Sequence, residues 1–126
     1  MGRRIVYLAE SPAGAMLEIL VHLQYRNGKL PQSYDLIRVE LGEEMSVQSL
    51  EPSHESAWKE RPEVTRNLGD SWLDSLETPL ARVPSAILPH TWNHLLNPEH
   101  SQARHARIAE VIRERFDNRL FRFGAP

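Results

Sequence analysis

Ile5-Val6-Tyr7-Leu8-Ala9-Glu10-Ser11-Pro12, continued as AGAMLEILVHLQ over residues 13–24, is the stretch on which the fold reading turns. The β-branched and aromatic run 5–9 predicts a short buried strand. Ser11 and Pro12 suit an N-cap and a first helical position, because the serine oxygen satisfies an orphan amide and proline lacks one. Residues 13–24 are mostly strong helix formers with no internal proline, and Met16, Leu17, Leu20 and Leu23 make one apolar stripe at helical spacing. Arg26-Asn27-Gly28 then supplies a stop, since Gly28 or Asn27 accepts the left-handed conformation.

Outward from this unit, Tyr34 to Leu41 alternates well enough to predict a second strand, and Val47 to Leu50 a short third. Residues 51–63, acidic and interrupted by two prolines, read as surface connection. A helix is expected from Glu63 to Leu76 through Leu68, Trp72 and Leu73. Its Gly69 costs about 1 kcal/mol of helix propensity, which points to close packing or backbone approach. Pro79 to Pro84 reads as a short strand bracketed by prolines, hence an edge strand or one that ends abruptly. Ser85 to Pro89 is expected to continue extended, and Trp92 to Pro98 to run into a turn. One or two helical turns are expected over 99–105, a strand from Ile108 to Arg113, and another from Leu120 to Phe123. Strands and helices without regular βα alternation predict an α+β fold.

The 126 residues suit a single domain, and 40% hydrophobic with 25% charged residues excludes wholesale disorder. With no cysteine there is no disulfide scaffold, thiolate metal site or cysteine nucleophile. No apolar run is long enough for a membrane span and no secretory leader is apparent, so a cytoplasmic location is expected. Net charge of −2 gives no general case for direct nucleic-acid binding. The charge is uneven, however. Residues 104–126 carry six arginines against three acids, while residues 1–103 are net acidic. An anionic ligand or acidic partner is one reading; the interspersed acids favour a solvated face.

Phosphate-binding glycine motifs are absent, and so is HExxH. His90 with His94 and His100 with His105 have suggestive spacing but no visible supporting ligands, so no metal is expected. Glu18 falls between Leu17 and Ile19 in the most apolar helix. It either faces solvent, as one side of an amphipathic helix must, or is a functional carboxylate on a rigid element; His22, four residues on, could hydrogen-bond it.

Five blocks together resemble the RES-domain toxins of bacterial toxin–antitoxin pairs: VYLAESPAGAMLEILVHL (6–23), TRNLGDSWL (65–73), RVPSAILP (82–89), WNHLLNPEH (92–100) and FDNRLF (116–121). The resemblance covers nearly the whole chain, 1–126, in family order. It implies an ADP-ribosyltransferase-like α+β domain with small mixed sheets and flanking helices. It also implies a toxin that takes NAD+ as substrate, with no other cofactor, and breaks the nicotinamide–ribose bond, depleting the dinucleotide and arresting growth. Tyr7, Glu18 and Ser85 sit where the family has its tyrosine, glutamate and serine.

The chemistry of these residue types agrees. Breaking the glycosidic bond builds positive charge on the ribose, which a fixed carboxylate such as Glu18 stabilises in the transition state. Tyr7 either stacks on nicotinamide or contacts ribose, or is an ordinary core aromatic of its strand. Ser85 offers a hydroxyl to position ribose or the carboxamide, or is simply a turn serine bonding its own backbone. Arg82 reads either as a pyrophosphate ligand or as one half of a structural ion pair.

Family members also carry a stretch resembling GGRWNxxG before the first strand, whose arginine is expected to grip the phosphates. This chain starts at Met1-Gly2-Arg3-Arg4, so the N-terminal part of the domain is expected to be missing and NAD+ turnover to be weak. The partners implied are an Xre-like helix-turn-helix antitoxin and a second copy in a homodimer. Transfer of ADP-ribose to a protein, or a shortened non-catalytic domain that binds an antitoxin, are the rival readings.

Overall fold

Ser11 begins the first helix as the sequence predicts: its Oγ accepts from the Gly14 amide at 3.0 Å and its carbonyl from the Ala15 amide at 3.0 Å. The structure, a computed structural model, describes residues 4–24, 31–52 and 58–121. The elements are β1 (Val6–Ala9), α1 (Pro12–Gln24), β2 (Ser33–Glu40), β3 (Val47–Ser49), α2 (Pro62–Ser75), β4 (Leu80–Pro84), β5 (Trp92–Leu96) and β6 (Arg107–Arg115). Short 3-10 turns cover Trp58–Glu60, Ser101–His105 and Asn118–Phe121. The expected stop at 26–28 lies outside the described residues.

One sheet has the order β1-β5-β4-β3 and a second pairs β2 with β6. In the larger sheet β3 runs parallel to β4 and the other neighbours are antiparallel. The α+β expectation holds.

Several local expectations are corrected. β1 is an edge strand with Val6 and Tyr7 exposed, not a buried one. β4, expected at an edge or to end abruptly, does not lie at an edge but between β5 and β3, and it ends abruptly: Pro79 precedes the strand and Pro84 is its last residue. Trp92 to Leu96, expected to form a turn, is a strand paired on both sides, and Asn97-Pro98 follows it rather than interrupting it. Ser85 to Pro89 does not continue extended. It forms a tight connection between β4 and β5, closed by the Ser85 amide donating to the Thr91 carbonyl at 2.8 Å. The expected strand from Leu120 begins instead as the turn Asn118–Phe121, because Asp117 Oδ1 takes the Arg119 amide at 2.9 Å; residues 122 and 123 lie outside the described part.

Residues opposed across a ladder share a face of the sheet, so Tyr7, Leu95 and Ala81 lie on one side, with Ala9, Asn93 and Val83 beside them. α2 packs on that side: Trp72 and Leu73 meet Leu50, Ala81 and Leu95, with Ile5 and Val83 at the margin. Trp72 is only 2% exposed, and its indole N–H is satisfied by Thr78 Oγ1 at 2.9 Å. On the other side Leu80, Leu96 and Met45 form a second cluster, with Leu8, Ala103 and Ala106 against it.

The second sheet explains the uneven charge of the C-terminal region. Arg113 meets Asp35 at 2.8 Å and Arg107 meets Glu40 at 2.6 Å across the β2–β6 ladder, while Arg119 turns back on Asp117 at 2.7 Å. These arginines are exposed and answered by acids, the solvated-face pattern. Phe116 anchors the end of this sheet against the rings of Tyr34 and Phe121, at 4.8 and 5.4 Å between centroids.

Candidate active site

A cleft of about 620 Å³ opens over the α2-covered side of the larger sheet. Its floor is made by Ile5, Tyr7, Val83, Asn93 and Leu95, and Glu18 of α1 contributes on one flank. α2 provides the opposite wall, where Arg66, Gly69 and Leu73 recur at helical spacing. The volume falls within the ordinary range for small-molecule sites, roughly 300–1,000 Å³.

Glu18 is half-buried and faces this cleft rather than bulk water. Its Oε1 accepts from Asn93 Nδ2 at 3.0 Å and from Ser85 Oγ at 3.4 Å. Both bonds fall on one oxygen, so Oε2 has no protein partner among the described residues. The carboxylate is thereby oriented from the sheet while one oxygen stays available to a ligand. His22, a candidate partner on sequence spacing, is exposed and takes no part in holding Glu18.

Ser85 is buried, and its hydroxyl is fully engaged by the protein. Oγ accepts from the amides of Ile87 at 3.1 Å and Leu88 at 3.2 Å while donating toward Glu18. The turn-serine reading holds, and the turn aims the hydroxyl at the Glu18 carboxylate rather than leaving it open for a ribose or carboxamide. With its acceptor sites filled by amides, it has the wiring of a buttress rather than of a nucleophile.

Tyr7 is 73% exposed and forms part of the cleft floor, which removes the alternative of an ordinary core aromatic. The structure thus brings Tyr7, Glu18 and Ser85 to one place. It does not bring Arg82 there. Arg82 opposes His94, one residue out of phase with Asn93, and so lies on the other face of the sheet. Its Nε donates to Ser49 Oγ at 2.7 Å and its guanidinium stacks 4.3 Å from the Trp92 ring centroid. Among the described residues its partners are a hydroxyl and an indole, not the acid of an ion pair.

A model of the RES domain matches residues 1–118. The chain belongs to the RES domain family. Among curated relatives, this RES domain is 46% identical to "Toxin Res" of Pseudomonas putida over 120 residues, covering 95% of this chain and 81% of that one. It is 35% identical to "Prs ADP-ribosylating toxin" of a Sphingobium strain over 127 residues, covering 97% and 78%. It is 34% identical to "Toxin Res" of Yersinia enterocolitica over 102 residues, covering 79% and 65%.

Asn93 is the member of this candidate site that sequence reasoning missed. Its signal was the alternation of Trp92-Asn93-His94-Leu95-Leu96, in which Asn93 shares a face with the core residue Leu95. A polar side chain on an apolar strand face is a candidate partner for a buried charge. Glu10 also contributes, locking the end of β1 to β5 by accepting the Trp92 amide at 2.7 Å.

Proposed function

We propose that this RES domain is a toxin that breaks the nicotinamide–ribose bond of NAD+. One observation carries the reading: Glu18 is held through a single oxygen, beside Tyr7, in a cleft of suitable size, and its second oxygen is left for substrate. In the step, the electron pair of the bond between ribose C1′ and the pyridinium nitrogen departs with nicotinamide, neutralising its ring. Positive charge develops on the ribose and is stabilised by the Glu18 carboxylate, which is already oriented and needs no reorganisation. Water or inorganic phosphate then adds to C1′ and loses a proton. Tyr7 supplies an exposed aromatic face for the nicotinamide or a hydroxyl for the ribose.

Nicotinamide release from NAD+, followed by chromatography, tests the reading. Glu18→Gln is expected to lower the rate by about 10²–10³-fold, the scale of losing one preorganised electrostatic group, while leaving the melting temperature unchanged. Equal activity in this variant would overturn the proposal.

A second reading has the same first half and a different acceptor: transfer of ADP-ribose to a protein. The relative named as an ADP-ribosylating toxin supports it. Label from adenine-labelled NAD+ appearing on a protein, rather than in free ADP-ribose, is its signature. In either form the chain would act inside the cytoplasm, where NAD+ is abundant, as a homodimer restrained by an Xre-like helix-turn-helix antitoxin. Among the described residues no helix is long and apolar enough to cross a membrane.

A further inference from the structure

Both tethers of Glu18 come from the hairpin that joins β4 to β5: Ser85 follows β4 and Asn93 lies in β5, whereas Glu18 itself rides on α1. The site therefore depends on how that hairpin is held against the turn from β1 into α1. Main-chain pairing of β1 with β5 ends at Ala9 and Asn93, because the chain then turns through Ser11-Pro12 into the helix. Glu10 and Trp92 would make the next pair. Instead the side chain of Glu10 takes over, its Oε1 accepting the Trp92 amide at 2.7 Å. A carboxylate acceptor makes this a charge-assisted bond, stronger than the main-chain bond it replaces.

Backbone strain in the hairpin makes this bond consequential. His90 has a φ of 62°, the left-handed conformation that a residue other than glycine adopts at a cost. Such a conformation persists where the flanking chain is fixed. Two bonds fix it here: the Ser85 amide donates to the Thr91 carbonyl at 2.8 Å, and the Trp92 amide to Glu10. The first closes the hairpin on itself, and the second ties it to the segment that carries Glu18. Glu10 does not line the cleft that holds Glu18. It lines a separate hollow between β1 and β2, beside Leu8, Leu36 and Val39.

We propose that Glu10 is a positioning residue for Glu18: by holding the Trp92 amide it fixes the neighbouring Asn93, whose Nδ2 orients the carboxylate. The proposal rests on the NAD+ reading and deepens it with a residue that acts through others, out of reach of substrate.

Nicotinamide release by Glu10 variants tests it. Glu10→Ala is expected to lower kcat by about fivefold with KM unchanged, since only the orientation of Glu18 suffers. Glu10→Gln keeps an Oε1 acceptor in place and is expected to stay within about twofold of wild type. Added to Asn93→Ala, Glu10→Ala is expected to cost nothing more, because the two act along one path. Full additivity, an equal loss in Glu10→Gln, or a rise in KM overturns the proposal. So does a lowered melting temperature with kcat at the wild-type value, the mark of a merely structural bond.

Proton–nitrogen NMR spectra need no turnover and keep the two readings apart. Glu10→Ala is expected to shift the side-chain amide signals of Asn93 together with the Trp92 backbone amide. A shift confined to Trp92 overturns the proposal. A shift of both, in a protein whose wild type releases no nicotinamide, upholds the link from Glu10 to Asn93 and sinks only the cleavage reading.

Discussion

Asn93 Nδ2 donates to Glu18 Oε1 at 3.0 Å, joining residues 75 positions apart and tying the carboxylate of a helix to the middle of the larger sheet. A carboxylate on a helix alone retains rotamer freedom about three torsions. One anchored to a strand loses much of that freedom before substrate arrives, which is how orientation lowers an activation barrier. Asn93→Ala is therefore expected to lower kcat for nicotinamide release by about tenfold, the worth of one hydrogen bond to a charged group, with little change in KM. Steady-state kinetics on NAD+ separates the two parameters. A rise in KM at constant kcat would mean that Asn93 holds substrate instead of Glu18.

Ser85 and Glu18 are predicted to fail differently when removed. Ser85 Oγ is the acceptor for two amides in a buried turn, so Ser85→Ala leaves both without that partner. A loss of about 1–3 kcal/mol is expected, a fall of several degrees in melting temperature, together with reduced activity. Glu18→Gln keeps the size and shape of the side chain and is expected to lower activity by about 10²–10³-fold at wild-type stability. Melting curves beside the cleavage assay distinguish the two. An unchanged melting temperature in Ser85→Ala would show that the turn does not depend on its hydroxyl.

The sequence legibility of this protein followed the reach of its local signals. The Ser11-Pro12 start and the apolar stripe to Leu23 act within one helical turn, and both were readable. The misjudged segments lie where local punctuation and tertiary pairing disagree. Pro79 and Pro84 mark an edge strand by local rule, yet they flank β4 rather than enter it, so the strand could take an interior place. Trp92 to Leu96 reads as running into a turn because Asn97-Pro98 follows. Asn93 is polar for a reason visible only after folding, its bond to Glu18. The family blocks pointed to Tyr7, Glu18 and Ser85, whereas the partner that orients Glu18 required knowing the register of β5.

Arg82 offers a test of which face of the sheet matters. Its side chain sits on the side away from Glu18, between Ser49 Oγ and the Trp92 ring. Removing it loses a hydrogen bond and a cation–π contact, together about 1–2 kcal/mol at a partly exposed site. Arg82→Gln is expected to lower the melting temperature by a few degrees and to leave KM for NAD+ unchanged. A several-fold rise in KM would instead give this arginine the pyrophosphate contact considered from sequence.

Acid is expected to loosen the smaller sheet through Asp35. Its carboxyl is held below the ordinary value first by the hydrogen bond from Arg113, against opposing desolvation, and then by the charge of that guanidinium. A depressed folded-state value means that the stabilisation is full above the unfolded carboxylate range and is lost as pH falls through the folded one. The pair is exposed, so its contribution is modest and screened by salt. Arg113→Gln should therefore melt slightly below wild type near neutrality. The gap should close as pH falls into the acid range, and it should shrink in molar salt. Melting curves across pH at two ionic strengths check this. A gap that persists unchanged in acid would assign the role of Arg113 to packing of its aliphatic stem along β6 rather than to its charge.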